Sequence, residues 1–306
     1  MDPSHSQSHN HLLMERLLFR LAQKWTAGYD IEGAVTAAKI SNMKGQGAIL
    51  NYLGEEHTDE EKIRQTIKEY STLLERLHIN KIKGCISIKP SQLGLSISYD
   101  LCLKNFKTIA SIAKHFRKFI WIDMESAKYT NNTLEIYLSL IDYYNDIGVV
   151  LQSTLKRSAS DLLHLIEVGG KVRLVKGAYK EKEQYAFQSN DEINANYIKL
   201  LKILFDDLNL NKYVDKSILI FAVATHDSKL IEDTIRLWKG SKFSITNFEF
   251  QFLKGIRDGL KKDLGKMGFR IAEYTPYGKE WLHYSIRRLT ERKRNIFLLA
   301  RSLVQP

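Results

Sequence analysis

The sequence has little of what a disulfide scaffold, a membrane span or a metal site requires. Cys85 and Cys102 are its only cysteines in 306 residues, and no CxxC spacing joins them. Neither a disulfide framework nor a thiolate zinc site is indicated, and a reducing compartment is expected. The longest apolar runs, such as Phe119 to Ile122 and Ile296 to Leu299, fall far short of the roughly 20 residues a spanning helix needs. No HExxH or paired histidine and carboxylate spacing suggests a catalytic metal. GxSxG is missing, which argues against a nucleophile elbow. No GxGxxG opens a helix after a strand, so a Rossmann dinucleotide site is not indicated either.

Basic charge, by contrast, is in excess. Lys and Arg exceed Asp and Glu by 46 to 35, a formal charge of +11, which favours contact with nucleic acid, an anionic bilayer or an anionic substrate without choosing among them. His5, His9 and His11 lie in a polar start rich in Ser and Asn, read as a tail without function.

The most informative stretch is Lys171 to Lys180, KVRLVKGAYK. Val172, Leu174 and Val175 give it the character of a buried strand, yet Arg173 and Lys176 interrupt the run. Buried cations cost several kcal/mol each, at about the level seen for unpaired ions, unless carboxylates or ligands compensate. A site is one reading, and a strand whose cations snorkel into water is the other.

Strand-like runs recur at Gly47 to Leu53, Cys85 to Lys89, Phe119 to Met124, Gly148 to Gln152, Val172 to Lys176, Ile218 to Ala224, Asn247 to Phe252 and Phe269 to Tyr274. Helical patterns separate them. Capping boxes are read at Thr58 with Glu61, Asn132 with Glu135, Ser158 with Asp161 and Ser189 with Glu192. Alternating strands and helices over this length predict a closed (βα)8 TIM-type barrel, with a doubly wound open sheet as the alternative. An N-terminal helical arm is expected at Leu12 to Trp25, carrying Leu13, Leu17, Leu18 and Leu21 on one stripe, followed by a helix near Ile31 to Ser41. The expected division is a tail and arm over 1–44 and a barrel over 45–306.

In such a barrel Lys89, Asp123, Gln152, Arg173, Lys176, Thr225, His226 and Tyr274 fall at or just beyond the C-terminal strand ends, where barrel active sites lie. Each alone has a bland reading as a solvated strand end, cap or loop hydrogen bonder, but their convergence argues for a site. The Lys176, Gly177, Ala178 turn offers a cation and unobstructed backbone N–H groups, suited to a pyrophosphate. Farther on, Tyr284, Arg287, Arg288 and Glu291 share one helical stretch. Adjacent arginines there suit a carboxylate clamp, although a solvated basic face is the plainer reading on charge alone.

SIKPSQLGL (Ser87 to Leu95), WIDMESAKYT (Trp121 to Thr130), RLVKGAY (Arg173 to Tyr179), ATHD (Ala224 to Asp227), FEFQFLKGI (Phe248 to Ile256) and YTPYG followed by RRLTE resemble, in order, the segments of the short, single-function, flavin-dependent proline dehydrogenase family. Pro90 and Ser91 stand where that family more often has Leu and Thr, and Ala127 lies in a loop that is usually more polar; Pro90 restrains Lys89 to an extended backbone. The resemblance implies noncovalent FAD and oxidation of L-proline to Δ1-pyrroline-5-carboxylate by hydride transfer to the flavin, with electrons passing to a membrane quinone. It places Lys89, Arg287 and Arg288 on the substrate carboxylate, Tyr274 and Tyr284 over the ring, and Asp123 and Arg173 as catalytic groups. Met124, Gln152, Arg173, Lys176, Gly177, Ala178, Thr225 and His226 would contact FAD, and Tyr179 would line the pocket. No metal and no nucleic acid are expected. The implied location is cytoplasmic, with peripheral contact at the inner face of the cell membrane and product passing to a pyrroline-5-carboxylate dehydrogenase. Two other readings are a Schiff-base aldolase using Lys89 or Lys176, and a basic module binding nucleic acid or a membrane surface. Lys180 to Asn190 is read as either a mobile lid or a plain surface connection.

Overall fold

Eight runs of mostly β-branched and aromatic residues become parallel strands that close on themselves in chain order. They are β1 (Gly47–Tyr52), β2 (Gly84–Ile88), β3 (Ile120–Ile122), β4 (Ile147–Gln152), β5 (Lys171–Val175), β6 (Phe221–Ala224), β7 (Phe248–Leu253) and β8 (Arg270–Tyr277). The computed structural model describes residues 22–207, 219–282 and 284–285. Between successive strands run α2 (Glu60–Ile79), α3 (Tyr99–Phe116), α4 (Thr130–Ile141), α5 (Ser158–Glu167), α6 (Asn190–Asp207), α7 (Ser228–Lys239) and α8 (Asp258–Lys266). Strands β3 and β4 are nearly continuous in apolar residues because both faces are covered, helices outside and side chains inside, whereas β5, β7 and β8 carry charged residues within their runs. The predicted barrel is therefore the observed one, and the open-sheet alternative is excluded by the β1–β8 pairing.

A helix before the first strand, α1 (Ile31–Met43), packs against β1 and β8. In a regular barrel the helix after β8 fills that place. Its seat is ionic as well as apolar: Ser41 donates to Glu273 of β8 at 3.2 Å, and Lys261 of α8 bonds the other oxygen of that carboxylate and Asp258. With this position filled, the chain after β8 turns at Gly278, whose N–H donates to the Gly28 carbonyl at 2.9 Å, and Tyr284 packs with Ala22, Leu53 and Trp281.

The helix starts differ from the capping boxes in three of four cases. Asp59, not Thr58, caps α2 by accepting from the Glu61 N–H. Helix α4 grows out of a 3-10 turn at Ala127–Tyr129 and begins at Thr130, so Asn132 lies inside it. Ser158 is the first residue of α5 and donates to the Gln152 carbonyl at 2.6 Å, while Asp161 pairs with Arg157. Ser189 with Glu192 does form the reciprocal box. Of the N-terminal arm only Ala22 to Trp25 is described, and the leucine stripe lies outside the described residues, as do the tail histidines, Ile218, Arg287, Arg288 and Glu291.

Lys180 to Asn190 is tied down along its length. Leu155 and Ala186 form an antiparallel bridge, flanked by Lys156 N–H to Tyr185 and Phe187 N–H to Thr154, both at 2.9 Å. Glu181 also accepts from the Ala127 N–H at 2.7 Å. No helix among the described residues is long and apolar enough to cross a membrane.

Candidate active site

The barrel interior is built from unequal partners. Trp121 pairs in register with Gly148, and a Cβ on Gly148 would lie 2.5 Å from the indole. Small residues elsewhere, Ala222 and Ala272, leave room for Arg173, which is 3% exposed. Two predicted positions are corrected here. Arg173 is the middle residue of β5 and Tyr274 lies inside β8, which runs on to Tyr277. Both lie below the mouth, Tyr274 because β8 runs three residues past the apolar run that marked it, and Arg173 because it stands near the start of its run, two residues before the end of β5. Strand β3 also ends early, at Ile122, so Asp123 stands beyond it, held by its N–H to the Ile88 carbonyl at 2.8 Å.

These residues form one charged cluster. The Arg173 guanidinium bonds Asp123 Oδ1 directly and Ser87 Oγ at 2.9 Å. Ser87 donates to the same carboxylate oxygen at 2.9 Å, and Tyr274 Oη donates to Asp123 Oδ2 at 3.0 Å. The guanidinium lies over the rings of Trp121 and Tyr274, 5.1 and 5.5 Å from their centroids, adding cation–π attraction in a dry setting. Burial and the Asp123 charge push the Tyr274 phenol well above its ordinary pKa, so it remains a donor.

Nearer the mouth, Lys89 follows β2 in extended conformation before Pro90, as expected of a residue preceding proline. Its ammonium donates to Glu55 at 3.1 Å. Lys176, just beyond β5, donates to Asp227 at 2.8 Å, and Asp227 also caps α7. Burial alone would raise the Asp227 carboxyl, but the Lys176 bond and charge outweigh it and hold the pKa below the usual carboxylate value. Among the described residues the flagged cations Lys89, Arg173 and Lys176 thus each have a carboxylate partner, which for Arg173 and Lys176 argues against the snorkelling alternative.

Gln152 is 2% exposed and closes β4. Its Nε2 donates to the Met124 and Glu125 carbonyls at 2.9 and 2.8 Å. Two carbonyl partners fix the amide's orientation and leave Oε1 buried with no hydrogen-bond partner. Gly177 has φ +114°, and a Cβ there would meet Thr154 Cγ2 at 2.5 Å and Gln152 Oε1 at 3.0 Å. Ala178 is exposed beside it and Tyr179 is half-buried. Thr225 accepts from the Asp227 N–H at 3.2 Å. His226 Nε2 accepts from the Leu253 N–H at 3.0 Å, which places the proton of the neutral ring on Nδ1.

Sequence reasoning missed Glu55, Glu125 and the partner role of Asp227. Glu125 is 3% exposed and accepts from Ser91 N–H and Oγ at 2.8 and 2.6 Å. Burial raises its pKa, with the Ser91 bonds and Lys89 offsetting only part. For Glu125 a signal was present, two residues beyond Asp123, whereas Glu55, directly after Gly54, reads in sequence as an ordinary loop acid. Among the described residues no group of three or more His, Cys, Asp or Glu is placed to hold a metal ion.

A family profile described as proline dehydrogenase matches residues 34–298 of this chain. The chain is 32% identical over 284 residues to proline dehydrogenase 1 of Bacillus subtilis (strain 168), covering 93% of this chain and 91% of that protein. It is 33% identical over 298 residues to proline dehydrogenase of Deinococcus radiodurans, covering 96% and 93%. Among solved structures, proline utilization A from Bdellovibrio bacteriovorus, inactivated by N-propargylglycine, aligns with a TM-score of 0.83 at 21% identity over 92% of this chain. A variant of proline utilization A from Bradyrhizobium japonicum aligns with a TM-score of 0.72 at 21% identity over 90% of it. The chain spans 34% and 31% of those two longer chains, and at this identity the likeness is one of fold.

Proposed function

The chain belongs to the proline dehydrogenase family and is an oxidoreductase of the first step of proline catabolism; on that premise we propose that it binds FAD noncovalently and oxidises L-proline to Δ1-pyrroline-5-carboxylate. The observation that carries the reading is the cluster of Arg173, Asp123 and Tyr274 set below a mouth rimmed by Lys89 and Lys176.

The residues fit a flavin dinucleotide. Gln152 Oε1 is an orphaned buried acceptor suited to a ring N–H, and a side chain at Gly177 would crowd Thr154 and that same oxygen, so glycine keeps the acceptor uncovered. Lys176 and the Gly177–Ala178 turn supply donors for a pyrophosphate. Met124, Thr225 and His226 complete the cofactor contacts. Bound flavin supplies a two-electron acceptor for the hydride leaving the ring carbon beside the amine.

The chain's own residues orient and charge the site. Arg287 and Arg288, outside the described residues, join Lys89 on the proline carboxylate, a fork geometry that guanidinium groups favour. Tyr274 and Tyr284 close over the pyrrolidine ring and exclude water. Asp123 holds Arg173 in place, and Arg173 stabilises negative charge arriving beside it. The amine gives up its proton to solvent before the tyrosines close, and its lone pair forms the C=N bond as the hydride leaves. Electrons then pass to a bilayer quinone during peripheral membrane contact at the cytoplasmic face, which the +11 charge favours, and a pyrroline-5-carboxylate dehydrogenase takes the product. Residues 45–306 act as the catalytic domain, with the preceding segment as its support.

Ion pairing of Lys89 with Glu55 and of Lys176 with Asp227 weighs against the aldolase alternative, since a Schiff base needs a free amine. The deciding experiment is an anaerobic visible spectrum after FAD reconstitution. Bleaching by L-proline but not D-proline is the expected result, and failure to take up FAD overturns the proposal. Arg288→Ala should raise KM for proline while flavin stays bound.

A further inference from the structure

The interior of such a barrel is ordinarily packed with branched apolar side chains, yet a polar chain continues below Arg173, away from the mouth. Gln251 of β7 is 2% exposed. Its Oε1 accepts from Arg173 Nη1 at 3.4 Å, and its Nε2 donates to Glu249 Oε1 at 2.8 Å. The register explains the reach. Arg173 pairs with Ala222 and Ala222 with Glu249, so only a methyl group stands between the two long side chains. Nothing in the proposed chemistry uses Glu249 or Gln251. Buried charge is also a poor way to gain stability, because apolar replacements of similar volume are often neutral or better. Burial raises the Glu249 pKa, and Gln251, Arg270, Lys83 and Arg173 offset part of that. Arg270 faces it from β8, Lys83 from just before β2, Cys85 from within β2, and Arg173 from β5.

An ionised carboxylate only accepts, so Glu249 turns the Gln251 NH2 group toward itself and the amide oxygen toward Arg173. Were the amide reversed, its N–H groups would face the guanidinium. We propose that Glu249 is a positioning residue: through Gln251 it fixes the Arg173 guanidinium, and by its own charge it sets the electron affinity of the cofactor at Arg173. This rests on the reading that a flavin binds there.

Two variants separate the two effects. Glu249→Gln removes the charge and keeps the shape, so the flavin midpoint potential should move positive, because a nearby negative charge opposes electron uptake. In the unaltered protein that charge disappears as pH falls through the raised Glu249 pKa, which bends the plot of potential against pH; Glu249→Gln should lose the bend, and Glu249→Asp should restore it. Gln251→Leu keeps the charge and cuts the link. It should keep the bend but reduce flavin at saturating proline several-fold more slowly, with KM for proline unchanged. A merely structural role would lower the melting temperature and leave potential and rate where they were. If the unaltered chain loads flavin and is bleached by proline, yet both variants keep its potential, pH plot and rate, this inference alone is overturned. If the unaltered chain takes up no flavin, the cofactor reading fails and this one falls with it. Should Glu249→Gln not fold, the rate and KM of Gln251→Leu decide the matter.

Discussion

Tyr274, Asp123 and Arg173 act as a unit, and the unit can be dissected one bond at a time. The Tyr274 hydroxyl donates to Asp123 at 3.0 Å, and a hydrogen bond to a charged group is worth about 1.5–3 kcal/mol. Tyr274→Phe is therefore expected to lower kcat/KM for proline by roughly ten- to a hundredfold; unchanged steady-state kinetics would remove the tyrosine from the site. Glu125 carries a pH dependence of its own. Its folded pKa is raised by burial above the ordinary carboxylate value, so its contribution to stability is complete below that ordinary value and declines as pH rises through the raised one. The stability difference between the unaltered protein and Glu125→Gln should accordingly shrink as pH rises across that window. Urea melts at several pH values test it, and a difference constant with pH would contradict the assignment. Some of these positions were legible in sequence: Asp123 and Lys89 stand where hydrophobic runs end, just past β3 and β2. Glu55 was not, because an acid beside Gly54 looks like any loop acid until the fold brings Lys89 to 3.1 Å from it.

At the scale of the element, two devices shape the site. The β5 turn depends on Gly177, where φ +114° and the close approach of Thr154 and Gln152 leave no room for a side chain. Left-handed backbone costs an L-residue about 1–2 kcal/mol before any clash is counted. Gly177→Ala should lose that much stability and bind FAD at least tenfold more weakly, read by equilibrium dialysis. The second device is the seat of α1. Lys261 is fully buried between Glu273 and Asp258, and removing one partner of a buried pair typically costs about 3–5 kcal/mol. Lys261→Met should destabilise by that order in urea, and adding Glu273→Met should recover much of it. Equal losses in the single and double variants would show that the pair is not what holds α1. The periodic pattern found these helices, yet it misplaced three of their starts. Local capping signals compete with tertiary bonds, as when Ser158 gives its hydroxyl to the Gln152 carbonyl instead of its own helix.

For the whole molecule, the barrel gathers residues from β2, β3, β5 and β8 onto one cluster although 187 positions separate Ser87 from Tyr274. Helix α1 has a part in this, since it packs beside β1 and β8, where the sheet closes. The basic balance of +11 belongs to this scale as well. Association with vesicles of anionic lipid should be measurable at low ionic strength and fall steeply as salt is raised, because surface attraction is screened within about 8 Å at physiological salt. Cosedimentation that ignores both salt and lipid charge would argue against peripheral membrane contact.

Composition and periodicity alone determined the alternation of buried strands and amphipathic helices and pointed to the barrel, while the doubly wound open sheet fell only with the β1–β8 pairing. The same reading drew attention to Arg173 and Lys176, because cations inside an apolar strand demand partners wherever the strand lies. Tertiary structure alone decided which partners those are. Asp123 for Arg173, Asp227 for Lys176 and Glu55 for Lys89 lie 34 to 51 positions away along the chain, and no local pattern encodes contacts at such separations. The orphaned oxygen of Gln152 and the chain from Glu249 through Gln251 to Arg173 were likewise invisible in sequence. They arise from strand register and the inward pleat, and only closure of the sheet sets both.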